Sequence, residues 1–228
     1  MTYIITELQR INEKYEAVVR SDLSCIVDYL SNHYKIDTKK LNLLEIGTHV
    51  GESTFYFSKF FKHVFTVDCY FYWDFYPNRE HVFLNGLKYT DNISKIKLTS
   101  EKASNFFRNK SIDFLYIDGE HHYQDIINDF LSWYPKVKDD GFIGGHDYFR
   151  PEEINKENSS WSTKVTGVFE FIDEFLGDPE LVCNTNWLFK KEKIINKNIV
   201  QKIKGKQIVN NLTKNRVIIN SSPPRIHK

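Results

Sequence analysis

Cysteine is scarce: the chain has three, Cys25, Cys69 and Cys183, widely separated and odd in number. That spacing supplies neither a disulfide framework nor a paired-cysteine metal site, and it points to a reducing compartment. Long apolar runs are missing too. No stretch approaches the ~20 uninterrupted apolar residues that a membrane-spanning helix needs. The opening MTYIITELQRINEKYEAVV alternates charge with apolar residues and lacks a signal-peptide core. The Asn-x-Ser/Thr triplets at Asn92, Asn158, Asn211 and Asn220 then read as chance matches, and the expected location is the cytoplasm. Charge of one sign is lacking as well. The net charge of +1 gives no electrostatic reason to expect a nucleic-acid partner.

What is present suits one α/β domain with small additions: 228 residues, 41% of them hydrophobic. Residues 3–33 carry apolar groups at helical spacing and predict two amphipathic helices. Short apolar runs predict buried strands at Asn42–Ile46, Val64–Val67, Lys95–Leu98, Ile112–Ile117 and Gly141–Gly145. Helical stretches are predicted at Ser53–Phe61, Arg79–Leu87, Ala103–Phe107, Tyr123–Tyr134 and Val165–Leu176. Glu180–Asn184 and Asn186–Lys190 read as a closing hairpin. Strands alternating with helices imply a mostly parallel sheet covered on both faces, with the hairpin as an antiparallel edge. The expected fold is therefore a Rossmann-like three-layer α/β sandwich around a seven-stranded sheet. The aromatic tract Tyr70–Pro77 and the segment Phe149–Lys164, with Trp161, are expected as an acceptor wall or lid.

Composition changes near the end. From Lys190 onward eleven Lys or Arg face Glu192 alone, a local charge of +10 that leaves −9 on the rest. Three regions follow: a helical segment over 1–40, a core domain over 41–191 and a basic tail over 192–228. The tail is expected to be solvated, with weak contact to an anionic membrane surface as the alternative.

Three motifs carry chemistry. Glu45-Ile-Gly47-Thr48-His49-Val-Gly51-Glu-Ser53 lies between a buried strand and a helix, where glycines let the backbone turn sharply beside a ligand. Dinucleotide sites use G-x-G-x-x-G, whose middle glycine admits a pyrophosphate. Here His49 occupies that position, so the looser spacing suits S-adenosylmethionine, which has no pyrophosphate. The next strand ends on Asp68, about twenty residues on, where an acid can accept from both ribose hydroxyls. Further on, Asp118-Gly-Glu-His121-His122-Tyr123 and Gly144-Gly145-His146-Asp147-Tyr148 each follow a strand, so Asp118, His146 and Asp147 should meet on one rim. Asp125 and Asp129, at helical spacing, read as solvated helix charges.

Taken together these motifs resemble the class I S-adenosylmethionine-dependent methyltransferases, closest to the macrocin-type and related sugar O-methyltransferases. The resemblance covers roughly Leu43 to Lys190. It implies cofactor contacts at Glu45, Gly47, Thr48, Gly51, Ser53, Asp68 and Asp118, with Ser100 and Glu101 near the adenine. Several relatives hold a divalent metal through an acid matching Asp118 and a pair matching His146 and Asp147. Histidine as the first of that pair is a departure. It shifts preference from Mg toward Mn or Fe, or frees His146 to act with Asp118 as a catalytic group, taking a proton from a hydroxyl. The base reading is slightly favoured. The implied reaction is in-line methyl transfer to a sugar or glycan hydroxyl of a small-molecule or glycan acceptor. The rivals are an NAD-type oxidoreductase and a non-catalytic cofactor-binding module.

Overall fold

The computed structural model describes residues 23–70, 78–150, 166–194 and 198–207. The first of the two expected N-terminal helices, most of the aromatic tract and of the segment before residue 165, and the end of the basic tail lie outside the described residues.

Seven strands form one sheet: β1 (Asn42–Ile46), β2 (His63–Val67), β3 (Ile93–Ile96), β4 (Ile112–Ile117), β5 (Val137–Gly145), β6 (Leu181–Cys183) and β7 (Asn186–Lys190). Their order is β3-β2-β1-β4-β5-β7-β6. All pairings among β1–β5 are parallel, and β7 runs antiparallel to both β5 and β6. The closing hairpin therefore tucks its second strand inside and leaves β6 at the edge. Six of the strands fall where the apolar runs place them, to within a few residues. The third is shifted to Ile93–Ile96, and the helix after it to Ser100–Ser104. In both cases the polar Ser-Lys and Thr-Ser pairs gave periodicity no firm edge.

The helices are α1 (Ser24–Asp28, widening into a π turn over Tyr29–His33), α2 (Glu52–Ser58), α3 (Arg79–Leu87), α4 (Ser100–Ser104) and α5 (Tyr123–Trp133). After them come α6, over 166–171 with a π turn at Ile172–Leu176, and α7, over 199–207. Strand side chains alternate between faces. Leu43, Phe114, Tyr116, Phe142 and Leu188 meet Ile26, Leu30, Phe57 and Phe61 from α1 and α2 in one buried cluster. On α5, Ile126, Ile127, Phe130 and Trp133 are buried, and Phe130 lies 5.1 Å from Phe171 of α6, ring centre to ring centre.

The chain divides into two compact units, Met1–Ile195 and Asn196–Lys228, and α7 belongs to the second. Within the first, a disulfide joins Cys25 of α1 to Cys183 of β6, leaving Cys69 as the free cysteine. This corrects the expectation that the cysteines do not pair. A sequence separation of 158 residues hides a contact that only the folded sheet creates. The reducing compartment expected from the cysteine count loses its premise with it. Among the described residues no helix is long and apolar enough to cross a membrane.

One feature of the register positions everything that follows. Ile46 pairs with Val67 and with Ile117, and Ile117 pairs with Gly145. The central strands thus end level, and Asp68, Gly47, Asp118 and His146 leave the sheet side by side on its carboxyl rim, where open α/β sheets bind ligands.

Candidate active site

The turn after β1 depends on glycine at two positions. Gly47 has φ +90°, and a Cβ there would sit 1.9 Å from the Asp118 carbonyl oxygen. Gly51, φ +92°, opens α2, and a Cβ there would lie 2.4 Å from the Phe83 ring. Any side chain at either place would need a disfavoured backbone and displaced neighbours. Gly47 N–H donates to Val67 O at 2.9 Å, and Asp118 N–H to Ile46 O at 2.9 Å, so the turn is lashed to β2 and β4.

Glu45, fully buried, accepts hydrogen bonds from the hydroxyls of Ser53 and Thr54, and from Thr66 at 2.7 Å. Thr48 and Thr66 hydroxyls lie 2.6 Å apart. Glu45, Thr48 and Ser53, which the resemblance assigns to the cofactor, therefore direct these side-chain bonds at the scaffold of the turn. A buried carboxylate needs such donors, and here they fix the first turn of α2.

Asp68 stands at the end of β2, partly exposed. Its Oδ2 accepts from the backbone N–H of Thr48 (3.1 Å) and His49 (2.9 Å), and its Oδ1 from Tyr70 N–H (2.7 Å). A carboxylate offers about four acceptor sites, so it clasps the glycine turn and keeps capacity for a ligand hydroxyl. His49 and Tyr70 both hold positive φ, 50° and 56°, on either side of this clasp. Such backbone conformations cluster where function demands a shape. Ser100 and Glu101 start α4 after β3. Ser100 accepts from Trp133 Nε1 at 2.8 Å, while Glu101 is exposed.

On the other side of the turn, Asp118, His146 and Asp147 each offer a ligand atom, all within 4.8 Å of one another. Asp118 and Asp147 are buried, and Asp147 takes a left-handed φ of 61° that aims it back at the site. Asp147 Oδ2 lies 2.8 Å from His121 Nδ1, and its Oδ1 is 2.9 Å from His146 Nδ1. Burial pushes the Asp147 carboxyl up, but its interactions with His121 and His146 outweigh this and hold it far below the usual range. His146 Nε2 lies 2.6 Å from Thr185 Oγ1. Its Nδ1 is buried and makes no aligned hydrogen bond, in spite of the short approach to Asp147.

The structure thus brings together the three rim residues expected from sequence and adds two more, His121, a weaker candidate from its place in the Asp118 motif, and Thr185, which was not foreseen. His121 orients Asp147. Thr185, in the β6–β7 turn, orients His146 across 39 residues of chain, and nothing local marks it. His122 is exposed and faces Glu120 and Asp125.

Residues 44–148, somewhat less than half of the chain, match the family described as a methyltransferase domain. The putative caffeoyl-CoA O-methyltransferase from Staphylococcus aureus superimposes with a TM-score of 0.61 at 17% identity, over 81% of this chain and 90% of that one. The two proteins share a fold. The O-methyltransferase from Bacillus cereus in complex with S-adenosylhomocysteine gives 0.56 at 16% identity, over 82% and 89%. Among curated sequences, an uncharacterized protein of Acanthamoeba polyphaga mimivirus is 31% identical over 151 residues, which is 61% of this chain and 62% of that protein. A second relative, an uncharacterized protein of Sinorhizobium fredii, is matched over 13% of its length at 28% identity. The chain therefore spans less than two thirds of either curated relative.

Proposed function

We propose that the chain is an S-adenosylmethionine-dependent O-methyltransferase whose acceptor is a sugar or glycan hydroxyl. The observation that carries this reading is the placement, on one rim of a methyltransferase sheet, of the Asp68-clasped glycine turn beside Asp118, His146 and Asp147. The match of residues 44–148 and the cofactor product named for the Bacillus cereus neighbour support the cofactor. The sugar assignment rests on the D-G-x-H-x-Y and H-D-Y resemblance. An NAD-type oxidoreductase fits less well, because His49 fills the place where a pyrophosphate would need glycine.

The rim cluster also fits a divalent cation. Two carboxylates and one imidazole converge, and the buried Nδ1 of His146 has no aligned partner. His146 Nε2 lies 2.6 Å from Thr185 Oγ1 and its Nδ1 2.9 Å from Asp147 Oδ1; in the tautomer that carries its proton on Nε2, the Nδ1 lone pair would be turned to a cation held by the carboxylates. A mixed N,O set suits Mn or Fe better than Mg. Such an ion would act as a Lewis acid on the acceptor oxygen. The chain's own residues do the rest: the glycine turn and Asp68 fix the nucleoside, His121 and Thr185 hold Asp147 and His146 in place, and the rim aligns the two reactants.

The test is transfer of an isotopically labelled methyl group from S-adenosylmethionine to a panel of glycans, nucleotide sugars and phenols. Label is expected on a sugar oxygen. Chelation should abolish transfer, Mn²⁺ should restore it better than Mg²⁺, and His146→Ala should lower turnover by about 10²-fold or more while sparing cofactor binding. Transfer that survives chelation would remove the metal, and label on phenols alone would remove the sugar.

A further inference from the structure

The Cys25–Cys183 disulfide reaches the rim by a short route. Cys183 is the last residue of β6, and Thr185, whose Oγ1 lies 2.6 Å from His146 Nε2, follows it after Asn184. Cys183 pairs with Asn186 across the hairpin, so Asn184 and Thr185 form the turn between them. A turn this tight needs a left-handed residue, and Asn184 supplies it with φ 52°. The Thr185 main chain is then held from two sides. Beyond it, its carbonyl accepts from Tyr148 N–H at 3.0 Å, and the Asn186 side chain accepts from the Tyr116 hydroxyl at 2.7 Å. Before it, the chain runs through Asn184 into Cys183 and the cross-link to α1.

The second hold depends on sulfur. β6 is three residues long and lies at the edge of the sheet, paired with β7. Its two ends are anchored differently. At the start, Glu180 N–H donates to Leu188 O at 2.9 Å, and the Glu180 carboxylate accepts from Tyr34, from Lys193 at 2.7 Å and from the Lys190 amide at 2.7 Å. None of these contacts involves the cysteines, so α1 and β6 stay docked when the cross-link opens. At the other end, the Asn186 side-chain amide reaches the Cys183 carbonyl at 3.4 Å, a weak contact beside the covalent tie to α1. Both cysteines are partly exposed, within reach of a small reductant. A dithiol opens the bond by exchange: its first thiolate takes one cysteine sulfur into a mixed disulfide and releases the other, and its second thiolate then displaces the first. Two electrons pass, the dithiol leaves as its own disulfide, and the two cysteines end as thiols.

Resting on the rim site proposed above, we infer that the Cys25–Cys183 bond is a redox-sensitive strap on that site. Reduction by a dithiol frees the Cys183 end of β6, the turn loosens on its amide side, and Thr185 ceases to hold His146 beside Asp147. Losing the outer partner of a ligating imidazole costs roughly 10- to 100-fold in metal affinity. The oxidised chain is therefore the form that binds a divalent cation well, and the reduced chain binds it poorly.

The experiment compares the full chain, oxidised and after anaerobic reduction with a dithiol that is then removed. Calorimetric titration reads Mn²⁺ affinity, and heteronuclear NMR reads the ring nitrogens of His146, assigned from the His146→Ala spectrum. Reduction should weaken Mn²⁺ by about 10-fold or more and move the His146 Nε2 resonance. Cys25→Ser should do the same without reductant. Thr185→Val, with its disulfide intact, should bind Mn²⁺ as poorly as the reduced chain, and reducing it should add less than about two-fold. Thr185→Ser, which keeps the hydroxyl, should keep the full response. An Nε2 resonance and an affinity that ignore reduction would overturn the inference and leave the rim site standing. So would an equal further loss on reducing Thr185→Val, since the effect would then run by another route. A reduced chain without a cooperative melt would overturn it as well, because the cross-link would be structural only. If the oxidised chain binds no Mn²⁺, the metal proposed above is removed, and the strap stands or falls on the His146 resonance.

Discussion

The Asp68 carboxylate closes the glycine turn through its bonds to the Thr48 and His49 amides, and the proposed function gives its remaining acceptor capacity to a ribose hydroxyl. Loss of a hydrogen bond to a charged group costs ~1.5–3 kcal/mol, so Asp68→Ala should weaken S-adenosylhomocysteine at least about ten-fold by calorimetry, with an unchanged far-ultraviolet spectrum. Unaltered affinity would take Asp68 out of the site. Asp129 yields a prediction of opposite kind. Its pKa is raised from 3.8 to about 7, so between those values the folded chain holds a proton that the unfolded chain has released. Stability must then fall as pH climbs from about 4 through 7, by an amount on the order of a few kcal/mol. Asp129→Asn removes this penalty. Its melting temperature relative to wild type should rise between pH 5 and pH 8, and a constant difference would contradict the account. Asp68, Asp118, His146 and Asp147 were legible in the sequence because each directly follows a buried strand, or lies one residue beyond. Asp129 was not, since helical spacing with Asp125 looks the same whether a face meets solvent or a neighbouring turn.

Among the elements, the central strands could be read because burial on both faces makes them continuous apolar runs. β5 was read too short: its start, Val137 to Asp140, carries a lysine and two aspartates, and only its apolar end shows as a strand. The insertion of β7 between β5 and β6 follows from pairings distant in sequence, which no local pattern encodes. The link from α1 to β6 is of the same kind. Besides the disulfide, Tyr34 donates to Glu180, and Lys193 donates to the same carboxylate at 2.7 Å. Unfolding without reductant should expose one titratable thiol per chain, and three after reduction. Cys25→Ser should lower stability by about 2–5 kcal/mol, the usual range for cross-links closing long loops. Three reactive thiols before reduction would mean that the pair is not oxidised.

On the scale of the whole molecule, the chain divides after Ile195, four residues beyond the expected boundary between a core ending at residue 191 and a basic tail. Ile194 is buried, and Lys191, also buried, donates to the carbonyls of Tyr134 and Val137, so the core reaches past the point where composition turns basic. A chain ending at Ile195 should keep a single cooperative melt and its cofactor affinity. Loss of that melt would make residues 196–228 part of the core. The claim that holds the account together is that the rim of this sheet is a nucleoside site built for a ligand without a pyrophosphate. Side-by-side calorimetry of the intact protein with S-adenosylhomocysteine and with NAD tests it most directly. One saturable site for S-adenosylhomocysteine and no heat from NAD is the predicted result. Saturable binding of NAD, or no binding of S-adenosylhomocysteine, would contradict it.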